Sequence, residues 1–69
     1  MSTKDAAKLL VPLVGPDRAA ELLGGLSPRT LERWRIEGRG PAYVRVGRLI
    51  RYRTEDLEQF VAAGRQSAA

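Results

Sequence analysis

Gly24-Gly25-Leu26-Ser27-Pro28-Arg29-Thr30-Leu31-Glu32-Arg33-Trp34-Arg35-Ile36-Glu37-Gly38 is the stretch on which the fold turns. The glycine pair stops the helix before it, because glycine closes a helix in the left-handed conformation without a Cβ penalty. One leucine later, Ser27-Pro28 offers an N-cap followed by proline at the first helical position, where its missing N–H costs nothing. The new helix then meets no breaker until Gly38. Leu31 and Trp34, three apart, face the first helix, and Arg29, Glu32, Arg33 and Ile36 point outward. Upstream, Gly15-Pro16 gives another start signal, and Asp17 and Glu21 suit the amino end through the helix dipole. Ala19, Leu22, Leu23 and Leu26 follow the i, i+3, i+4, i+7 rule and mark that helix's inner face. Two short helices joined by about four residues containing glycine make a helix-turn-helix.

Downstream the period changes. From Tyr43 to Arg53, Val44, Val46, Ile50 and Tyr52 alternate with Arg45, Arg51 and Arg53, a half-buried strand pattern. Gly47-Arg48 sits midway, where a tight hairpin needs glycine. Thr54 caps a third helix, Glu55 to about Ala63, with Leu57, Phe60 and Val61 inward, and Gly64 closes it. Residues 1–14 read either as an arm or as a short helix capped by Thr3 and running to Leu10, since Pro12 disfavours helical geometry at Val11. The expected organisation is an arm or short helix over 1–14, one domain over 15–64 and a flexible tail over 65–69. It is mainly α with a small β-hairpin.

Sixty-nine residues with a net charge of +4 leave little core to spare, since a domain this size buries only about 60% of its unfolded surface. The charge is sorted. Arg29 to Arg53 holds eight arginines against Glu32 and Glu37, a net of +6, and the rest of the chain is at −2. Arginine's planar fork matches phosphate and guanine edges in bidentate fashion. A generic solvated face would mix lysine and acids, so the block reads as a nucleic-acid footprint. With no cysteine and no histidine, an ordinary zinc site, a thiol nucleophile and an imidazole base are all absent. Glu55, Asp56 and Glu58 are accounted for by the dipole of the third helix. The expectation is a protein that is not an enzyme, with no cofactor, metal or small-molecule substrate. The longest apolar run, Leu9 to Val14, contains Pro12 and falls far short of the ~20 residues that span a bilayer, and no signal peptide is legible.

Single residues sort as follows. Trp34 sits at core spacing, and Tyr52 packs in the core or between strands. Tyr43 is open between packing and a contact to the DNA backbone. Glu32 pairs within its helix with Arg29 or Arg35 in preference to accepting from a cytosine amino group. Arg39 and Arg53 are flanking charge.

The run Ala19-Ala20-Glu21-Leu22-Leu23, then Ser27 to Trp34, Gly38, Pro41, Val44-Arg45-Val46-Gly47-Arg48, Arg51-Tyr52 and Glu55-Asp56-Leu57 resembles the excisionase and MerR-like winged-helix family. The resemblance covers roughly residues 15 to 63 and departs from the family in its glycine-pair turn and longer N-terminal arm. It implies a winged helix-turn-helix whose second helix enters the major groove while the hairpin wing lies on the backbone or in the minor groove. The groove-facing positions map onto Arg29, Thr30 and Arg33, with Arg35 nearby. The wing positions map onto Arg45, Arg48 and Arg51, with Arg48 set either for a phosphate or for a narrow minor groove. The implied function is that of an excisionase, or recombination directionality factor. Such a protein binds repeated double-stranded sites, bends DNA and promotes integrase-mediated excision in the cytoplasm of a bacterial host. Its partners would be DNA, a phage integrase and neighbouring copies of itself. The alternatives are a small phage or genomic-island transcription regulator and, in another class, a basic protein-interaction adaptor. A MerR-type regulator dimerises through a long helix after this domain. Only five residues follow Gly64, so that route is not expected.

Overall fold

The computed structural model describes residues 12–65. Its elements are β1 (Leu13–Val14), α1 (Pro16–Leu22), α2 (Pro28–Glu37), β2 (Val44–Val46), β3 (Leu49–Arg53) and α3 (Thr54–Ala63). The helix expected from Thr3 to Leu10 and the tail beyond Arg65 lie outside the described residues.

Both helices of the central motif close by local chemistry. Gly15 caps α1, with Pro16 in its first turn. At the other end Gly24 (φ 98°) donates to the Glu21 carbonyl and Gly25 to that of Ala20, each at 3.1 Å. These two bonds satisfy carbonyls that the helix would otherwise leave bare. Ser27 then caps α2, its Oγ accepting from the Thr30 N–H at 3.2 Å. Gly38 (φ 71°) ends α2, and the Arg39 N–H reaches the Trp34 carbonyl at 2.8 Å. Leu26, expected as the last inward position of α1, lies beyond that helix in the turn and still packs on the core.

The hairpin is joined by a strand that the sequence does not announce. β1 pairs antiparallel with β3, Leu13 opposite Arg53 and Val14 opposite Tyr52, giving the order β1-β3-β2. The Thr54 N–H also reaches the Pro12 carbonyl at 3.3 Å. The chain entering α1 is thus tied to the chain entering α3. Arg53, rather than Thr54, is the N-cap of α3, with no side-chain cap bond. Its guanidinium instead contacts Glu55 at 2.7 Å and Asp56 at 4.0 Å, so Arg53 is a link across the helix start and not flanking charge.

The core is Ala19, Ala20, Leu31, Tyr52 and Leu57, with Val14, Leu23, Leu26, Trp34 and Ile50 packed on it. Leu22 and Val61, expected inside, are exposed at 45% and 55%. They sit on the outer edges of α1 and α3, which flank an open apolar groove also lined by Leu23 and Leu57. Ala20 takes the inward place that the helical pattern assigned to Leu22. Trp34 packs half-buried on Phe60, ring centroids 5.6 Å apart, with the Arg39 guanidinium 5.5 Å over its ring. Gly40 (φ 91°) closes over the same ring, so close that a Cβ there would stand 2.8 Å from Trp34 Cε3.

Candidate nucleic-acid interface

α2 carries Arg29, Glu32, Arg33 and Ile36 on its exposed side, since Leu31 and Trp34 hold the opposite side to the core. Thr30 is half-buried, its hydroxyl 3.0 Å from Ser27 Oγ, so it belongs to the start of the helix as much as to its surface.

The hairpin register decides which wing arginines meet this face. Val44 pairs with Arg51, Arg45 with Ile50, and Val46 with Leu49. Directly paired residues share a face and successive residues alternate. Arg45 therefore stands with Ile50 and Tyr52, while Val44 and Val46 stand with Leu49, Arg51 and Arg53. The sequence pattern set all the valines against all the arginines. The two-residue turn Gly47-Arg48 shifts the phase between the strands, so each face of the hairpin carries both kinds.

The result is a cleft between α2 and one face of the hairpin, lined by Glu32, Arg35, Ile36, Tyr43, Arg45, Arg48 and Ile50. Arg35 is half-buried, and its Nη1 donates to Tyr52 Oη at 2.6 Å. Its guanidinium also lies 5.8 Å from the Tyr43 ring centroid. Tyr43 is tilted against Tyr52 at 6.2 Å, so the packing alternative for Tyr43 is realised while 39% of it stays exposed. Together Arg35, Tyr43 and Tyr52 brace α2 against the hairpin. Arg51 lies on the opposite hairpin face, its Nη1 donating to the Ile50 carbonyl at 2.8 Å beside Gly15.

Electrostatics divides the arginine block in two. Among the described residues, the ion pairs engage Arg18 with Glu21, Arg39 with Glu37, and Arg53 with Glu55 and Asp56. Arg29, Arg33, Arg45 and Arg48 are exposed and have no carboxylate within 4.0 Å among those residues. Glu32 forms neither of its expected pairs within the helix and instead faces the cleft. Arg39 is more than flanking charge, since it covers Trp34. The helical spacing puts Ile36 outward but gives no sign of the cleft that it lines, and no period marks Gly40. The only signal for Gly40 was its position before Pro41.

Among the described residues there is no cluster of three His, Cys, Asp or Glu side chains fit to hold a metal ion, and no helix is long and apolar enough to cross a membrane.

Three helices, a small antiparallel sheet and a cleft between the second helix and the hairpin define a winged helix-turn-helix. The family model of a helix-turn-helix domain matches residues 13–65, and the chain belongs to that family, whose fold implies binding of double-stranded DNA. A search of curated proteins finds no match.

Proposed function

We propose that this protein is an architectural DNA-binding protein of the excisionase kind, acting in a bacterial cytoplasm with its recognition helix α2 in the major groove. The observation that carries the reading is the set of four exposed arginines without carboxylate partners, Arg45 and Arg48 lining the cleft and Arg29 and Arg33 on the exposed side of α2 that borders it. Arg29 and Arg33 read base edges, where arginine to guanine is the commonest specific contact, with Thr30 beside them at the start of the helix. Glu32, free of its expected partners, accepts from a cytosine amino group. Arg45 and Arg48 hold the backbone from the wing, and Arg51 reaches a phosphate from the other hairpin face. Arg35 positions α2 through Tyr52.

One such module buries only about 600–1,000 Å² on DNA, so bending a site needs several copies side by side. The molecule has unlike surfaces for that purpose. The outer hairpin face exposes Val46 and Leu49, whereas the groove between α1 and α3 is mainly apolar and includes Glu58 in its lining. Contact between unlike surfaces does not close into a dimer and can continue along a duplex. The expected behaviour is a monomer in solution that binds direct repeats cooperatively.

The test is an excision assay with a phage integrase and its attachment DNA, paired with a salt titration of binding. If about five phosphates are neutralised, log K falls against log salt with a slope of about −4 to −5. Stimulated excision supports the reading. Salt-dependent binding with a promoter footprint and no stimulation would assign the same face to a transcription regulator. Affinity for an acidic protein with none for DNA would assign it to an adaptor.

A further inference from the structure

We infer that Ile36 is a specificity-determining residue that packs on the 5-methyl group of a thymine next to the bases read by Arg29 and Arg33. The inference rests on the DNA-binding reading above and names one element of sequence that this reading leaves open.

Ile36 is 80% exposed, the highest exposure among the large apolar side chains of the described residues. A single exposed aliphatic is ordinarily of no account. This one lines the cleft between α2 and the hairpin, with Glu32, Arg45 and Arg48 also on its walls. It also extends the stripe of Arg29 and Arg33, because positions i, i+4 and i+7 share one helix face. With a rise of 1.5 Å per residue, Arg33 lies about 6 Å and Ile36 about 10.5 Å along the axis from Arg29. Base pairs repeat every ~3.4 Å, so the three side chains span roughly three base steps, with Ile36 one to two steps beyond Arg33. The major-groove edge offers a single apolar group, the thymine methyl. A protein partner would want a continuous apolar patch, whereas this cleft sets Ile36, Tyr43 and Ile50 among Glu32, Arg35, Arg45 and Arg48, which suits one small apolar group amid acceptors and phosphates.

The experiment selects duplex sites from a random library with the wild-type protein and with Ile36→Ser. The wild type is expected to enrich a thymine one or two positions from a guanine, and Ile36→Ser to keep the guanine while losing the thymine. Replacing that thymine by deoxyuridine, which lacks only the methyl, should then weaken the wild type roughly three- to fivefold, about the worth of one buried methyl group. It should leave Ile36→Ser unchanged. The exposure of Ile36 predicts an unaltered melting curve for the variant, which separates recognition from folding. Selection of the same thymine by both proteins, or an equal loss on deoxyuridine DNA for both, overturns the inference and leaves the DNA-binding reading standing. A wild type that enriches no sequence and binds without salt dependence overturns both.

Discussion

Gly40→Ala should unfold the junction between α2 and the hairpin, and its cost can be worked from two separate contributions. Gly40 has φ 91°, and an alanine held in the left-handed region costs about 1–2 kcal/mol. The added Cβ would also stand 2.8 Å from Trp34 Cε3 and 3.0 Å from Trp34 Cβ. Trp34 is pinned by Phe60 on another side, so it cannot simply move away. Forcing a methyl into a packed site costs about 1–3 kcal/mol, for a total of about 2–5 kcal/mol. In a domain of this size each kcal/mol lowers the melting midpoint by roughly 4–8 °C. The expected fall is roughly 10–40 °C, followed by circular dichroism. Gly38→Ala is the matched comparison: its φ is 71°, but a Cβ there meets nothing within 4 Å. It should show the backbone contribution alone, about 1–2 kcal/mol. Trp34→Leu removes the ring from the collision, so the double variant Trp34→Leu/Gly40→Ala should lose less than the two single variants together. Equal melting points for Gly38→Ala and Gly40→Ala, or strict additivity with Trp34→Leu, would refute this reasoning.

Three further outcomes follow from the same contacts. Tyr52→Phe removes the acceptor that holds the Arg35 guanidinium at 2.6 Å and should cost about 1–2 kcal/mol in urea denaturation, with DNA affinity falling as α2 loosens from the hairpin. Ser27→Ala takes away the cap on the Thr30 N–H and should cost about 1 kcal/mol, read as a shift in the denaturation midpoint without a change in slope. Arg33→Ala should cost about 1–3 kcal/mol on a selected site and little on random duplex, while Arg53→Ala, bound to Glu55, should leave DNA affinity unchanged and lower only stability.

The parts of the fold legible in the sequence are those fixed by local chemistry. Gly24-Gly25, Ser27-Pro28 and Gly38 each act within a turn of chain, and the structure closes and caps its helices at those residues. The faces of the hairpin were not legible. Each strand alternates on its own, but the face shared across the pair depends on a register set by the turn, and a shift of one residue exchanges the faces. Leu22 and Val61 were misplaced for a related reason. A helical period marks a stripe, whereas the edge of the stripe that is covered depends on where the neighbouring helix crosses. β1 is two residues long, too short to have a period. The gathering of positive charge between Arg29 and Arg53 was legible. Its division was not, because Arg35, Arg39 and Arg53 find Tyr52, Trp34 and the start of α3 only once the chain has folded.

The central claim is that the face built by α2 and the hairpin is the one that meets DNA. The most direct measurement is a titration of the isotope-labelled protein with a selected duplex, following each backbone amide and arginine side-chain resonance by NMR. The account predicts the largest shifts at residues 27–36 and 45–49 and at the guanidinium groups of Arg29, Arg33, Arg45 and Arg48. The groove between α1 and α3 should stay unperturbed at a ratio of one protein per site. Shifts centred instead on Leu22, Leu57 and Val61, with those four arginines unmoved, would contradict it.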